Sequence, residues 1–305
     1  MNGKIAGGLA VLALAGGLLA LPLSDVSSGL TRSAIYQPDP AIRAVTRDGL
    51  PDAARVIDLK TADGLTLKAL RIDGDPDLPL FLVFHGNAST AHNTAQWLRP
   101  LIDQGYGFLF AEYRGYAGNP GKPSQQGTAL DADAAYAEAV RIARETGHAR
   151  PVYLIGHSLG GGVALDLTRR VAPDMVITIG TFTDIPSLAP KLARGLISDR
   201  YDNVAAIGTL NAPYYIIHGE QDGVVPVLPH ARTLFETAAR RGLKGGAFVF
   251  RKEGHVPDAA LLTKAINLAV ARGAAGLRAD DRQGFADTSV MLFDGPATGT
   301  GGVTR

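Results

Sequence analysis

Short apolar runs alternate with amphipathic stretches along most of the chain. Runs at Leu80–Phe84, Gly107–Glu112, Val152–Ile155, Met175–Ile179, Tyr214–His218 and Ala247–Arg251 predict buried strands. Between them, helical patterns lie near Thr90–Gln104, Ala129–Thr146, Leu159–Val171, Pro229–Arg241 and Pro257–Arg272. Ahead of this series, Ala54–Lys60 and Leu65–Ile72 flank Thr61-Ala62-Asp63-Gly64, whose Asp-Gly pair predicts a hairpin. A hairpin followed by strand–helix units predicts an α/β fold, with a mostly parallel, doubly wound sheet opened by an antiparallel hairpin. No Pro/Ser-rich linker divides the series, so residues 33–278 read as one domain.

The two ends break the pattern. Ile5–Leu23 carries no charge and is long enough to approach the ~30 Å hydrocarbon core of a bilayer. Residues 1–32 are therefore expected to be a membrane anchor and linker, with a cleaved signal peptide as the alternative. Lys4 before the run and Asp25 after it favour a cytoplasmic N-terminus and a body outside, on the periplasmic side if the cell is bacterial. Residues 279–305 turn to Asp, Gly and Thr, ending in Gly295-Pro296-Ala297-Thr298-Gly299, and are expected to be a disordered tail.

Charge and composition narrow the chemistry. Net charge is +1 and no dense basic tract is present, which argues against a nucleic-acid partner. The absence of cysteine removes a thiol nucleophile, disulfides and thiolate-held metals. In open parallel sheets ligands sit beyond the carboxyl ends of the strands, so chemistry is sought there.

After Val152–Ile155 comes Gly156-His157-Ser158-Leu159-Gly160, a G-x-S-x-G turn entering a helix; it marks Ser158 as a candidate nucleophile. His85-Gly86-Asn87 follows Leu80–Phe84, and the backbone N–H groups of Asn87 and Leu159 are the nominated oxyanion donors. Asp222 follows Tyr214–His218, with Asp184 as its rival and Glu220 as the neighbour to exclude. His255, in the loop after the last strand, is the expected base. His85 and His218 read as structural, His92, His148 and His230 fall in or beside helices, and His157 is expected to point away from Ser158.

These residues resemble the α/β-hydrolase superfamily, and within it the membrane-anchored abhydrolase-domain subgroup that includes protein depalmitoylases and fungal polarity-related hydrolases. The resemblance runs from about Tyr36 to Ala269. It is carried by Val83-Phe84-His85-Gly86-Asn87-Ala88, Glu112-Tyr113-Arg114-Gly115-Tyr116, the Ser158 turn, Asp199-Arg200-Tyr201-Asp202-Asn203 and His218-Gly219-Glu220-Gln221-Asp222. The order Ser158, Asp222, His255 is that of the superfamily. Departures are Ala117 where glycine is usual, Pro123-Ser124-Gln125 in place of Pro-Ser-Glu, and Val256-Pro257 after the histidine.

The resemblance implies a serine hydrolase of carboxylic esters or thioesters that works through an acyl-enzyme without cofactor or metal. A short stretch near 182–208 leaves room for a small cap, with Leu188, Leu192, Leu196 and Ile197 as an apolar face that either packs on the core or lines an acyl groove. An anchored, open site suits lipid-like or acylated substrates. A serine aminopeptidase on the same fold, and an inactive membrane-tethered binding module, are the alternatives.

Overall fold

The computed structural model describes residues 31–293, apart from 146, 148 and 286. The expected anchor at Ile5–Leu23 and the end of the expected tail, 294–305, lie outside the described residues. Among the described residues no helix is long and apolar enough to cross a membrane.

Strand burial follows position in the sheet. The edge strand β1 (Ala54–Lys60) buries Ala54 and Leu59 and exposes Arg55, Val56, Asp58 and Lys60, as a strand covered on one face does. It pairs antiparallel with β2 (Thr66–Ile72) in the register Ala54↔Ile72. The turn between them is closed by Thr61, whose Oγ1 accepts from Leu65 N–H at 3.0 Å. By contrast β3 (Leu80–Phe84), β4 (Gly107–Ala111), β6 (Met175–Ile179), β7 (Tyr214–Gly219) and β8 (Gly245–Phe250) are buried throughout, as is β5 (Val152–His157) except at Tyr153. That is the pattern of parallel strands with helices on both faces.

The nine strands run in the order β1-β2-β4-β3-β5-β6-β7-β8-β9, where β9 is Thr288–Leu292. β1–β2, β2–β4 and β8–β9 are antiparallel, and the other neighbours are parallel. The chain leaves β3 toward β4 and returns to place β5 on the other side of β3. This reversal is the topological switch point where such sheets open a crevice. The loops after β3 and β5 border it.

One face of the sheet is covered by α2 (Gln125–Ala143), α3 (Leu159–Leu167), α4 (Asn203–Thr209) and α5 (His230–Arg240), packed through Ala135, Ala139, Leu165, Ile207 and Leu234. The other is covered by α1 (Ala91–Trp97) and α6 (Ala259–Arg272), through Ala91, Ala95, Leu262 and Ile266. Side-chain caps set several starts. Ser124 Oγ accepts from Gly127 N–H at 3.0 Å, so α2 begins four residues before the periodic pattern does. The helix expected over Thr90–Gln104 is instead two pieces, α1 and Arg99–Ile102, because Pro100 has no N–H to continue the ladder.

The expectation of a disordered tail from Ala279 is corrected over its described part. Residues Ala279–Gly284 form a 3₁₀ turn, and β9 then adds antiparallel to β8 in the register Phe248↔Val290. Composition hides the reason: Ser289-Val290-Met291-Leu292-Phe293 is an apolar strand sequence inside a polar tail. Val290 is buried, Phe285 packs 5.2 Å from Phe248, and Phe293 lies 5.1 Å from Phe235. The strand covers the edge that β8 would otherwise leave open.

Between β6 and β7 lie a helical turn at Ile185–Leu188, a 3₁₀ segment at Lys191–Leu196, and α4. Leu188 packs against the core, whereas Leu192 and Leu196 are exposed at 99% and 56%. The apolar pattern across this stretch is therefore not one core-facing surface.

Candidate active site

Ser158 sits where β5 turns into α3, with φ 53° and ψ −115°. Such a conformation is ordinarily left to glycine, because Cβ crowds the backbone there. Its N–H donates to Ile179 O at 2.8 Å, which fixes the elbow to the end of β6. The flanking glycines are needed for close approach between elements. A Cβ on Gly156 would lie 2.3 Å from Gly160 O, and one on Gly160 would lie 2.0 Å from Phe84 O. The start of α3 is thereby pressed onto β5 and β3.

The β3 loop rests on this elbow: a Cβ on Gly86 would meet His157 Nδ1 at 2.7 Å and Ser158 Cβ at 3.4 Å. Among the described residues neither Asn87 N–H nor Leu159 N–H has a hydrogen-bond partner. Leu159 directly follows Ser158 as the first residue of α3, and Asn87 directly follows Gly86. The Asn87 side chain is held by other contacts, its Oδ1 accepting from Gln37 N–H and Tyr116 OH, both at 2.8 Å.

Asp222 and His255 come together from the loops after β7 and β8. His255 Nδ1 donates to Asp222 Oδ2 at 2.7 Å. Asp222 Oδ1 accepts from the N–H groups of Val224 and Val225, both at 2.8 Å. Burial acts to raise the Asp222 carboxyl, but hydrogen bonds from His218 and His255 and from Val225 N–H hold it well below the usual carboxylate range. A fixed carboxylate on Nδ1 leaves His255 Nε2 as the free ring nitrogen. Gly180, directly after Ile179, lies under this pair, since a Cβ there would be 3.2 Å from His255 Nδ1 and 3.4 Å from Asp222 Oδ2. Among the described residues Ser158 Oγ has no hydrogen-bond partner. Nucleophile–base contacts are commonly loose without substrate and tighten when it binds.

The other candidates are placed elsewhere. Asp184 caps the turn at Ile185–Leu188 through Ser187 N–H at 2.8 Å and faces Arg200 at 3.4 Å. His230 Nδ1 accepts from Thr183 N–H at 3.2 Å, joining the β6–β7 segment to α5. His92 Nε2 donates to Asp48 O, and His148 lies outside the described residues. His218 Nε2 donates to Val225 O at 2.7 Å and lies 3.4 Å from Asp222 Oδ2, supporting the loop that carries the acid. No group of three or more His, Asp or Glu side chains among the described residues is placed to hold a metal ion.

Two supports escape the sequence. His157 Nε2 donates to His255 O at 3.0 Å, and its ring lies 4.9 Å from that of His255 and 5.1 Å from that of Trp97. Burial, with the neighbouring His255, pushes its pKa down to about 3, so it is the neutral donor this bond requires. Glu112, met in the sequence only as part of a motif, is fully enclosed beside His85. Its Oε1 lies 2.7 Å from His85 Nε2 and its Oε2 accepts from Ala91 N–H at 2.9 Å, while His85 Nδ1 donates to Gly86 O at 2.8 Å. One carboxyl thus ties the β3 loop to the start of α1. No spacing rule announces either contact, because both join residues from different strands.

Comparison with known proteins places this geometry in a family. Residues 77–199 match the family described as serine aminopeptidase, S33. The Mycobacterium tuberculosis protein Rv2307c is 33% identical over 202 residues, covering 64% of this chain and 71% of that protein. The lysophosphatidylserine lipase ABHD12 of Xenopus tropicalis is 32% identical over 176 residues, covering 48% of this chain and 44% of the relative. The chain spans about half the length of the vertebrate relatives it matches. The Pyrococcus furiosus esterase Pf2001 superposes with a TM-score of 0.62 at 17% identity, covering 79% of this chain and 98% of the esterase, which is a likeness of fold. The chain belongs to the abhydrolase-domain α/β-hydrolases and is an enzyme of serine-hydrolase type.

Proposed function

We propose that the protein hydrolyses carboxylic esters or thioesters by two-step acyl transfer, with lipid-like or acylated molecules as substrates. His255 Nε2 takes the Ser158 hydroxyl proton as Oγ attacks the carbonyl carbon. The tetrahedral oxyanion is met by the N–H groups of Asn87 and Leu159. The intermediate collapses as His255 returns the proton to the leaving oxygen or sulfur, leaving an acyl group on Ser158. Water, deprotonated by the same nitrogen, then releases the acid and restores the serine. Asp222 holds the imidazole in the required tautomer throughout.

The observation that carries this reading is the 2.7 Å pairing of His255 Nδ1 with an Asp222 carboxylate whose other oxygen is already held by two N–H groups. Such an acid is preorganised to stabilise the imidazolium formed in the transition state. The lipid side of the proposal rests on the uncharged run Ile5–Leu23, taken as an anchor with the catalytic body outside the cytoplasm, and on the lipase names of the vertebrate relatives.

A fluorophosphonate probe on the full chain tests the chemistry. Wild type labels and Ser158→Ala does not, while Asp222→Asn lowers ester kcat by roughly 10³–10⁴. Equal labelling of Ser158→Ala would remove the serine from the mechanism. The family description favours aminopeptidase activity as the second reading. A p-nitrophenyl ester series of rising chain length, run beside aminoacyl and prolyl amides, separates the two.

A further inference from the structure

Six large apolar side chains are exposed among the described residues: Val56, Leu192, Leu196, Val224, Leu228 and Val256. Val56 is on edge strand β1. The other five lie on the loops after β6, β7 and β8, at the carboxyl edge where Ser158, Asp222 and His255 are gathered. Leu192, Leu228 and Val256 are exposed at 99%, 60% and 59%. Val224 and Val256 are the neighbours of Asp222 and His255 within two residues, so this apolar rim borders the site itself. Exposed apolar side chains grouped on one side mark an interaction surface.

Charge and connectivity say what that surface meets. Residues 185–198 contain Lys191 and Arg194 and no acid. The flanking acids are engaged, Asp184 with Arg200 at 3.4 Å and Asp199 with Arg32 at 3.3 Å. Arg194 donates to Ser187 O and Ala189 O, which lays its guanidinium along the same turn as Leu192. Arg32 and Tyr36, the latter with its OH donating to Asp199 Oδ2 at 2.9 Å, seat residues 31–36 at the base of this segment. The apolar run Ile5–Leu23 ends nine residues before Arg32, a reach of at most roughly 30 Å. A bilayer that held that run would thus lie within that reach of Arg32.

We infer that the rim formed by Leu192, Leu196, Val224, Leu228 and Val256, with Lys191 and Arg194, docks on an anionic lipid bilayer and presents the active-site mouth to it. The inference deepens the lipid-substrate reading above and rests on it. Docking would admit an acyl ester from the membrane plane without passage through water. Each basic side chain near an anionic surface favours docking by about 5-fold, so the pair contributes on the order of 20-fold.

The chain has no cysteine, so one introduced cysteine gives one label. Full-length Leu192→Cys and Val56→Cys, each carrying bimane, are reconstituted in phosphatidylcholine vesicles with and without phosphatidylserine. Doxyl-labelled lipid and aqueous iodide serve as quenchers. The expected result is lipid quenching and loss of iodide access at position 192 in anionic vesicles, with position 56 open to iodide throughout. Lys191→Gln with Arg194→Gln, added to the position-192 variant, should shift docking by on the order of 20-fold.

A position-192 label open to iodide and untouched by lipid quencher would overturn the inference. So would one shielded from both quenchers, since the occupant would then be the N-terminal segment or a second copy of the chain. Fluorophosphonate labelling of the same vesicles keeps the two readings apart. An undocked rim with Ser158 still labelled sinks docking alone, and a docked rim without labelling sinks the hydrolase chemistry alone.

Discussion

The backbone of Ser158 sets up a prediction in which stability and activity move in opposite directions. At φ 53° and ψ −115° the residue occupies a region where a Cβ costs roughly 1–3 kcal/mol. Replacing it with glycine removes that cost. The substitution adds about 0.5–1 kcal/mol of unfolded-chain entropy. Nothing else is lost, because Ser158 makes no capping bond to α3 and its hydroxyl has no partner. Ser158→Gly is therefore expected to be more stable than wild type by roughly 0.5–2 kcal/mol, equivalent to about 1–8 °C in Tm for a domain of this size. Ser158→Ala keeps the Cβ, and with it the strain, and should stay within about 0.5 kcal/mol of wild type.

Urea unfolding of the full chain, followed by the fluorescence of Trp97, the single tryptophan, measures both differences. An unchanged m-value would show that the variants expose the same surface on unfolding, so that their midpoints can be compared directly. Both variants should lose fluorophosphonate labelling. A glycine variant no more stable than the alanine variant would refute the view that the elbow stores strain to hold its serine clear of the sheet.

The enclosed Glu112–His85 pair makes a second test. Glu112→Leu leaves His85 Nε2 and Ala91 N–H unpaired and should cost about 1–3 kcal/mol for each in urea unfolding, together with a fall in ester kcat as the Asn87 loop loosens. Glu112→Gln can donate to His85 Nε2 while accepting from Ala91 N–H, so it should recover most of both; a cost equal to that of the leucine variant would show that the pair works as an ion pair. His157 sets the acid sensitivity. Its folded pKa is about 3 and its unfolded value about 6.5, so below 6.5 the unfolded chain binds a proton that the native protein does not. Stability is then fully present above 6.5 and falls, by up to about 1.4 kcal/mol per pH unit, as pH drops toward 3. Asp222, also depressed, adds to the loss only in stronger acid. His157→Asn should flatten the dependence of urea midpoint on pH between 6.5 and 4; an unchanged slope would place the acid-sensitive group elsewhere.

Local pattern alone was enough for much of this protein. Buried runs, capped helices and an Asp-Gly hairpin are written over a few residues each, so the α/β architecture could be read directly. Ser158, Asp222 and His255 could be nominated because each stands just past a strand, and parallel strands gather such positions at one edge. What needed the tertiary structure were pairings between elements with no fixed spacing. The choice of Asp222 over Asp184 turns on which carboxylate faces His255, a matter of strand order and loop path. The support of His255 O by His157, the Glu112–His85 clamp and the outward turn of Leu192 likewise depend on which neighbours a side chain meets. β9 was hidden because its five residues sit in a polar stretch, and only the open edge of β8 gives them a reason to be a strand. Sequence determines what each segment can form by itself; where its hydrogen bonds and charges find partners is decided by the packed sheet.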